Sequence, residues 1–578
     1  MDGTSERERH WYEHIYRRDA RQLTLRAVAG GMLVGVVMCL SNRYVFFKTG
    51  WSMGVTVTAA ILLFAGFRLL AALGATKTPF GALENNVATT VASGAGYMTG
   101  GGNMSAFGAL LMITTVRPET AAMVLWFAAI AALGVFAAIP IKRQLINVED
   151  LPFPTGTATA ITIRSIHGEA GGVAGAREGG QQSRALGLAA LVAAVVTLLR
   201  DVATVLPGSF KFPFAIAGQE AAKWTLTLKA ELVLVGGGVL MSFRTVWSML
   251  LGGLLTYGVL APELLANGLI SEASNKAIVS WTVWPGAAIL VASGLTSFAL
   301  DWRSVARTFA GLTDALRGKR AAPSATDEAA IECPGAWFPL GFALLSPLVV
   351  FLMMRLFHIP WWAGLVAIPL SIVMGFVAAR VTGETDITPT KAFGPVTQLV
   401  YGGLTPGNVA GNIMAANVTA GVGLHAADLL TTIKTGWLLG GNPRAQFFAQ
   451  LAGVLVGAAV IVPAFNLLIP DPSVLGSEEW PAPACLVWSG VSELFAGGLD
   501  RLDPAARSAI GLGLALGVAL ALLEKFAPKK LKPWVPSPSG LGISMVIPGA
   551  NSIAMFLGGL AAELWRRKKP ELATRFAT

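Results

Sequence analysis

Long tracts without charge alternate with short charged segments along the whole chain. Asp, Glu, Lys and Arg are absent from residues 49–67, 121–141, 277–300, 334–354, 359–379, 445–470 and 533–562. A helix needs about 20 predominantly apolar residues to cross the hydrocarbon core of a bilayer. The pattern therefore predicts an all-α polytopic membrane protein.

Shorter apolar pieces are interrupted by Pro and Gly. They lie at 152–165, 209–222, 386–403, 481–497 and 535–546. Backbone that leaves the helical conformation at membrane depth must be buried in protein or line a cavity. We therefore expect broken helices or re-entrant segments among these pieces. Together with the longer tracts they predict about 16 transmembrane helices.

The basic residues predict how the helices are oriented. They are concentrated in the amino-terminal tail 1–24, the polar linker 302–333 and the carboxy-terminal tail 566–578. The positive-inside rule places all three in the cytoplasm, including both termini of this multi-pass chain. The membrane halves 25–301 and 334–565 then each hold an even number of spans, which predicts a parallel relation between them.

One proline motif occurs in each half. Leu151–Ala158 reads LPFPTGTA, Val535–Gly542 reads VPSPSGLG, and a basic loop precedes both. Their order and the loop charge favour an internal duplication over chance similarity. Duplicated transporters bind substrate between their repeats.

Composition narrows the classes of function. Hydrophobic residues make up 54% and charged residues 13% of the 578 residues, and the net charge is +10. The loops account for the basic balance, so no nucleic acid partner is predicted. Cys39, Cys333 and Cys485 are too scattered for a disulfide framework or a metal cluster, and no cofactor or bound metal is predicted.

A polar stripe begins at a carboxylate after a loop. Its side chains recur at i, i+4, i+7 and i+11, which is one face of a helix. Such a stripe in a membrane faces protein or water, so it either lines a solute path or joins helices. We predict that it contacts substrate through Asn85, Asn86, Thr90, Ser93 and Tyr97, and that Glu84 is a candidate for proton coupling.

The two proline motifs predict helix starts inside the membrane. Thr155 can cap a helix that begins at Gly156, and Ser539 and Gly540 can do the same in the second half. Free N–H groups and the helix dipole favour anionic groups at such positions. The four residues are therefore candidate substrate contacts, with an ordinary helix cap as the alternative.

Two further polar groups lie in the second half. Glu384 and Asp386 lie two residues apart beside Pro389, at the edge of the uncharged run 392–424. They could accept a proton or bind a substrate amine, or else cap a surface loop. A buried His and Asp suggest a proton relay or a substrate site, with an ion pair to Lys434 as the structural alternative. Candidates in this denser group are Asn412, Asn417, His425 and Thr431 for substrate and Asp428 for the proton.

These residues also resemble a known family. The chain resembles the prokaryotic branch of the oligopeptide transporter superfamily in four segments in the same order: Glu84-Asn-Asn86, Phe153-Pro-Thr-Gly-Thr-Ala158, Gly383-Glu-Thr-Asp-Ile-Thr-Pro389 with Gln398, and Asp428 to Gly436 with Pro443-Arg-Ala-Gln446. The resemblance covers about residues 25–565. It implies about 16 transmembrane helices, a bacterial inner membrane location and proton-coupled import of peptides.

The cargo stays open between two classes. Yellow-stripe-like members of the same superfamily carry metal chelates, and the NPGPFN-type motif of eukaryotic peptide carriers is absent here. The prediction is a symporter that imports oligopeptides by alternating access, with a metal–siderophore or metal–amino-acid chelate as the alternative. Its partners are then this substrate, protons and lipid, and an oligomer is compatible with the sequence.

Other classes find less support. HExxH, GxSxG and GxxxxGK[ST] are all absent, which disfavours a metalloprotease, a serine hydrolase and a pump driven by ATP. A channel and an intramembrane enzyme remain the less favoured alternatives.

Overall fold

The computed structural model describes most of the chain as helix. It covers residues 6–49, 52, 54–168, 188, 191, 192, 194–203, 205–229, 231–300, 331–469, 471–475, 480, 482–496, 503–528 and 530–568. Within them, nine helices are long and apolar enough to cross a membrane. The all-α polytopic class is confirmed. The predicted linker 302–333 and tail 566–578 lie almost entirely outside the described residues.

The helices of the first half are short in several places where spans were expected. They are α1 Glu6–His10, α2 Leu25–Thr49, α3 Thr56–Ala72, α4 Ala82–Gly96, α5 Gly101–Ile113, α6 Thr120–Lys142, α7 Pro154–His167, α8 Leu232–Leu240, α9 Phe243–Leu254, α10 Ala261–Ala266 and α11 Asn275–Leu300. Wider helical turns extend α1 through Trp11–Ile15 and α6 through Arg143–Val148.

The helices of the second half include the longest one. They are α12 Trp337–Phe357, α13 Trp361–Thr385, α14 Thr390–Leu404, α15 Val409–Leu439, α16 Pro443–Leu468, α17 Pro483–Ala496, α18 Pro504–Phe526, α19 Pro538–Ser544 and α20 Gly549–Lys568. α15 is buried along its whole length, with other helices packed around it.

One of the interrupted pieces, 209–222, is not a half-helix. β2 Ala215–Ile216 pairs with β3 Gln219–Glu220 in a hairpin, and β1 Ser209–Lys211 pairs with β4 Thr227–Lys229. Ala217 and Gly218 at the hairpin turn both have positive φ, as a two-residue turn of this kind requires. The paired strands satisfy the backbone that the prolines keep out of a helix.

The apolar tracts predict one span near 86–114 and two spans near 407–424 and 426–440, and the observed helices differ from these three. The tract 86–114 is divided into α4 and α5 by a tight turn at Tyr97–Thr99. The tracts 407–424 and 426–440 form the single helix α15 instead of two. Gly423 of α15 provides close packing with α13, because a Cβ there would lie 3.1 Å from the Cβ of Ala378.

The helices pack as two bundles that do not coincide with the two sequence halves. The larger bundle contains α2–α7 and α12–α17, and the smaller contains α8–α11 and α18–α20 with the strands. The bundles meet where α13 and α14 pack against α11, and where α13 packs against α19. Each bundle thus combines helices from both halves of the chain.

Two helices of 14 residues begin in the same way. α7 and α17 each start at a proline, and the residue before it, Phe153 or Ala482, has a φ of 40°. The Phe153 N–H donates to the carbonyl of Gly383 in α13 (2.9 Å), and the Ala482 N–H donates to the carbonyl of Phe47 in α2 (2.8 Å). The segment before α17 therefore repeats the local geometry of the first proline motif, whereas Ser537 before Pro538 is in the extended region.

The helices that these two contacts involve run in opposite directions. α2 begins at the face where α15 ends, since the Asn442 N–H donates to Gln22 Oε1 (2.7 Å). α13 begins at the other face, where Asn408 Nδ2 donates to the His358 carbonyl (3.1 Å). We call the first of these faces the amino-terminal face.

The parallel relation that the loop charges predict between the two sequence halves stays a prediction. Counting loops assumes that every apolar piece crosses the membrane. α7, however, is flanked by contacts at one face, because Asp150 pairs with Arg7 on its amino-terminal side and His167 at its end contacts Asn85. A segment that enters and leaves at one face does not cross the membrane, so it changes whether the number of crossings is odd or even.

Candidate functional site

Several helices break near one another inside the larger bundle. A Cβ on Gly101 would lie 2.6 Å from Thr390 Oγ1, so the break between α4 and α5 meets the break between α13 and α14. Thr159 of α7 hydrogen bonds to Thr56 at the start of α3 (3.0 Å between the Oγ1 atoms). We call this place, where α3, α5, α7 and α14 begin, the central junction.

A few residues of the central junction are partly exposed although their neighbours are buried. They are Tyr97, Gly101, Thr155, Asp386 and Thr388. Four helices begin around this junction, and the backbone N–H groups and the dipole at a helix start favour negative charge. The junction thus combines solvent access with the chemistry that binds carboxylates.

Asp428 lies close to this junction, on α15. Its Oδ1 accepts a hydrogen bond from Ser93 Oγ (2.5 Å) and its Oδ2 accepts one from Gln450 Nε2 (2.6 Å). All three side chains are buried. The structure therefore joins the stripe residue Ser93 to Asp428, and it adds Gln450 of α16. Among the described residues, no cationic side chain forms a hydrogen bond or an ion pair with Asp428.

A second polar contact lies on the same helix, toward its start. His425 Nε2 is 3.3 Å from Asn103 Nδ2, and Asn417 Nδ2 donates to Asn103 Oδ1 (3.1 Å). Trp126 Nε1 donates to Asn417 Oδ1 (2.7 Å). His425 Nδ1 is buried without a hydrogen-bond partner. Asn103 thus connects two of the predicted site residues to the polar part of α5.

Glu84 is held by a cation at the start of α4. Arg26 binds both of its carboxylate oxygens (Nε to Oε1 2.9 Å, Nη2 to Oε2 2.5 Å), and Thr24 Oγ1 donates to Oε1 (2.7 Å). Oε2 also accepts from the Gly81 N–H (3.2 Å). These bonds fix the entry of α2 to that of α4 at the amino-terminal face.

Asp386 caps α7 across the central junction. Its Oδ1 accepts from the Thr155 backbone N–H (2.8 Å), and its Oδ2 accepts from Thr155 Oγ1 (2.5 Å). Gly156 follows, and a Cβ there would lie 2.4 Å from the carbonyl of Thr431. The structure brings these predicted residues together, with the anionic group at the start of α7 supplied by the protein itself.

Glu384 lies in a charged cluster between the two bundles. Its Oε2 accepts from Ser537 Oγ (2.8 Å), and its Oε1 is 3.5 Å from Arg380 Nε. Arg380 also pairs with Glu149 (2.9 Å) and Glu524 (3.5 Å). Ser539 and Gly540 of α19 are buried beside this cluster, and the Gly540 N–H donates to Ser537 Oγ (3.1 Å).

The remaining predicted residues occupy contacts between helices. Asn412 Nδ2 donates to the Gln398 carbonyl (2.6 Å), and Asn85 Nδ2 donates to the Ala60 carbonyl (3.1 Å). Thr90 Oγ1 accepts from Gln446 Nε2 (3.3 Å). Asn86 is buried beside Gly436, and its Oδ1 has no hydrogen-bond partner.

The sequence analysis missed three contributors. Gln450, Asn103 and Arg380 each contact a predicted site residue from another helix. Gln450 follows Gln446 by one turn in a helix that is otherwise apolar between Gln446 and Asn466, a signal of the kind that singled out Asn86 and Thr90. Among the described residues, no group of three His, Cys, Asp or Glu is arranged to hold a metal ion.

Comparison with known proteins gives a consistent picture. The sequence model described as "OPT oligopeptide transporter protein" matches residues 22–578. The chain is 26% identical to the "Probable metal-nicotianamine transporter YSL14" of Oryza sativa subsp. japonica, over 96% of this chain and 82% of that protein.

Two other relatives are similar over comparable lengths. The "Iron-phytosiderophore transporter yellow stripe 1" of Zea mays is 25% identical over 94% of this chain and 86% of its own length. The "Putative oligopeptide transporter YGL114W" of Saccharomyces cerevisiae is 23% identical over 94% and 91%. These relatives are eukaryotic, and the prokaryotic branch stays a prediction.

Proposed function

Because the chain belongs to the OPT oligopeptide transporter family, we propose that it is a proton-coupled symporter that imports metal chelates of small amino-acid-based ligands. The names of the rice and maize relatives support this cargo. The sequence alone favoured oligopeptides, which become the second candidate on the family description and the yeast relative. Both cargoes carry free carboxylates and amines.

Asp428 is the coupling carboxylate in this proposal. Glu84 is neutralised by Arg26, Glu384 is next to Arg380, and Asp386 caps the backbone of α7. Asp428 instead accepts hydrogen bonds from two neutral side chains in the middle of a fully buried helix. A buried carboxylate without a cation is stabilised by taking up a proton. This is the observation that carries the coupling assignment.

The cargo binds at the central junction. The start of α5 at the partly exposed Gly101 supplies N–H groups for its carboxylates, whereas the Thr155 N–H at the start of α7 already donates to Asp386. Tyr97 supplies a hydroxyl, and it lies one turn from Ser93, which binds Asp428. Occupation of the junction and protonation of Asp428 can therefore influence each other through a single turn of α4.

The opposed elements described above support alternating access. We propose that α2–α7 and α13–α17 are two units with inverted topology, and that α7 and α17 are their equivalent half-helices. Transporters built from inverted repeats bind substrate at the repeat interface and open to each face in turn. Closure at one face by α7 then corresponds to opening at the other by α17.

Uptake into proteoliposomes tests the proposal. Vesicles with an inward proton gradient are given either a labelled ferric–nicotianamine chelate or labelled tri- to hexapeptides. Chelate uptake that a protonophore abolishes is the expected result, and peptide uptake alone would select the second candidate. Equal uptake with and without the gradient would refute proton coupling for either cargo.

A further inference from the structure

The segment Glu6–Ile15 lies across the amino-terminal face of the larger bundle. It contacts the ends of α6 and α15 and the loop that leads into α7. We propose that this segment is a latch, which closes the path between the central junction and the amino-terminal face while it is docked. The proposal rests on the transport function given above, but its test does not require uptake.

An aromatic stack anchors the segment to the central helix. The ring of Trp11 stacks on Trp437 with 4.1 Å between centroids and an interplanar angle of 3°. Trp11 Nε1 also donates to the Trp437 carbonyl (2.6 Å), and its side chain is almost fully buried. The Nζ atom of Lys142 in α6 lies over the Trp437 ring, 4.8 Å from its centroid. The end of α15 is thereby held against α6 and the segment at once.

Ion pairs join the same segment to the approach to α7. Arg7 Nη2 is 2.5 Å from Asp150 Oδ1, and Asp150 also accepts from Lys434 Nζ of α15 (2.6 Å). Glu8 pairs with Arg143 (2.9 Å) and accepts from Asn147 Nδ2 (3.0 Å). Asp150 is four residues before the first residue of α7. A docked segment therefore stabilises the loop that positions the half-helix.

Asp150 and Lys434 link these contacts to the central junction. Lys434 lies beside Gly156, because a Cβ on that glycine would be 3.3 Å from the Lys434 Cβ. The neighbouring Thr155 is bound by Asp386. Asp150 precedes α7, so movement of this loop and α7 away from α15 breaks the ion pair between Asp150 and Lys434. Arg7 also pairs with Asp150 and holds it in this position.

The segment is connected to α2 in a way that permits release. Residues 16–24 are not helical, and their contacts include Arg17 N–H to the Gly440 carbonyl (3.0 Å) and Gln22 to Asn442 (2.7 Å). The Arg7–Asp150 pair is more than two-fifths exposed on both sides. Water competes with such pairs, which makes them weak compared with buried contacts. Undocking therefore requires no unfolding of a membrane helix.

Trp11→Ala tests the latch, with Trp11→Phe as the matched control that retains an aromatic ring. Hydrogen exchange reports docking of residues 6–17, and exchange of α15 reports folding. We expect Trp11→Ala to speed exchange of the segment about tenfold or more, the combined effect of one aromatic pair and one hydrogen bond. Unchanged exchange in this variant would overturn the anchoring role of the stack.

Access to the junction is measured separately. In a background with Cys333→Ser and Thr155→Cys, a membrane-impermeant maleimide is applied at the amino-terminal face. Labelling should accelerate about tenfold with Trp11→Ala and by less with Trp11→Phe, which keeps the ring stack and loses only the Nε1 hydrogen bond. Arg7→Gln, which changes only a partly exposed pair, should give a smaller increase of about twofold.

The two measurements together decide the proposal. Faster exchange of the segment with unchanged labelling of position 155 would show that the docked segment does not close the path, and would overturn the latch. Neither measurement uses a cargo. If both proposed cargoes fail to be transported while labelling follows docking, the transport assignment is wrong and the latch stands.

Discussion

Replacement of Asp428 by Asn removes the proposed coupling proton with little change in shape. In the native protein the carboxylate accepts one bond from Ser93 and one from Gln450. The new amide keeps one acceptor and gains a donor. Gln450 Oε1 is buried without a hydrogen-bond partner. If the Gln450 amide group rotates by half a turn, this oxygen can accept a hydrogen bond from the new amide at position 428. The expected loss of stability is about 1 kcal/mol.

The effect on accumulation is much larger. One proton moving down a gradient of two pH units releases about 2.7 kcal/mol, since each unit corresponds to about 1.36 kcal/mol. This supports accumulation of about 100-fold, because each 1.4 kcal/mol is a factor of ten. Without a coupling group the internal and external cargo concentrations become equal. Asp428→Asn should therefore reduce the accumulation ratio from as much as about 100 to about 1.

Two assays on the same proteoliposomes separate coupling from binding. Accumulation under an imposed gradient should be lost in Asp428→Asn, whereas counterflow exchange at equal pH should persist because the central junction is unchanged. Ser93→Ala, which removes a single donor to the carboxylate, serves as a milder comparison. If Asp428→Asn still accumulates cargo and a protonophore still abolishes it, Asp428 does not carry the coupling proton.

The remaining predictions concern the support of the site. Glu84→Gln should lower the free energy of unfolding by about 2 kcal/mol, since it leaves Arg26 without its carboxylate. Uptake per folded molecule should stay unchanged. Thermal unfolding in detergent measures the loss of stability, and a variant that keeps full stability but loses coupling would contradict the prediction. Gly156→Ala should destabilise the fold by about 1–3 kcal/mol because the new methyl group meets a backbone carbonyl of α15. Gly66→Ala, whose methyl group faces open space, should leave stability unchanged. Equal unfolding temperatures for the two variants would refute the close approach of Gly156 to α15. Partial burial opposes ionisation of Asp150, but the hydrogen bonds and charges of its two basic partners outweigh this effect and lower the pKa of the carboxyl. The ion pairs therefore stabilise docking above the ordinary pKa of an aspartate, and this stabilisation is lost only as the pH falls through the lowered pKa. Docking of the amino-terminal segment should persist from pH 8 to pH 5 in hydrogen exchange corrected for the intrinsic rate, and release near pH 5 would contradict this prediction.

Local patterns in the sequence predicted the class of fold and several of its breaks. Uncharged tracts identify most long helices, because the hydrocarbon core excludes charge. The prolines of the first motif stop the chain before α7 as expected, since proline removes a backbone donor. The stripe at Asn86, Thr90 and Ser93 was recognised as a face that meets protein or water.

Long-range partners could not be read from the same patterns. That Asp386 caps α7 depends on a contact between residues 231 positions apart. Arg26 decides the role of Glu84 from 58 residues away. The glycines of α15 are ambiguous in sequence, because glycine serves both as a helix breaker and as a contact surface. Which of these applies depends on the helix that packs against it.

The match between the two proline motifs stays a prediction, and sequence and backbone geometry favour different partners for the first motif. Val535–Gly542 preserves more of the letters, but the segment before α17 preserves the geometry, including the left-handed residue before the proline. Short motifs of Pro and Gly occur often in membrane helices, so letters alone do not identify a counterpart. The contact that each segment makes with the end of a long helix is a stronger guide to such a match.

The burial of α15 has a consequence for how the protein is made. This helix is the least apolar of the nine candidate spans in the described residues, and protein surrounds it on all sides. Its Asn, His, Asp and Lys side chains would oppose partitioning into lipid during synthesis. α15 must therefore be inserted together with neighbouring segments that cover its polar groups, and ribosome-bound chains that end after Leu439 should integrate it poorly until α16 has emerged.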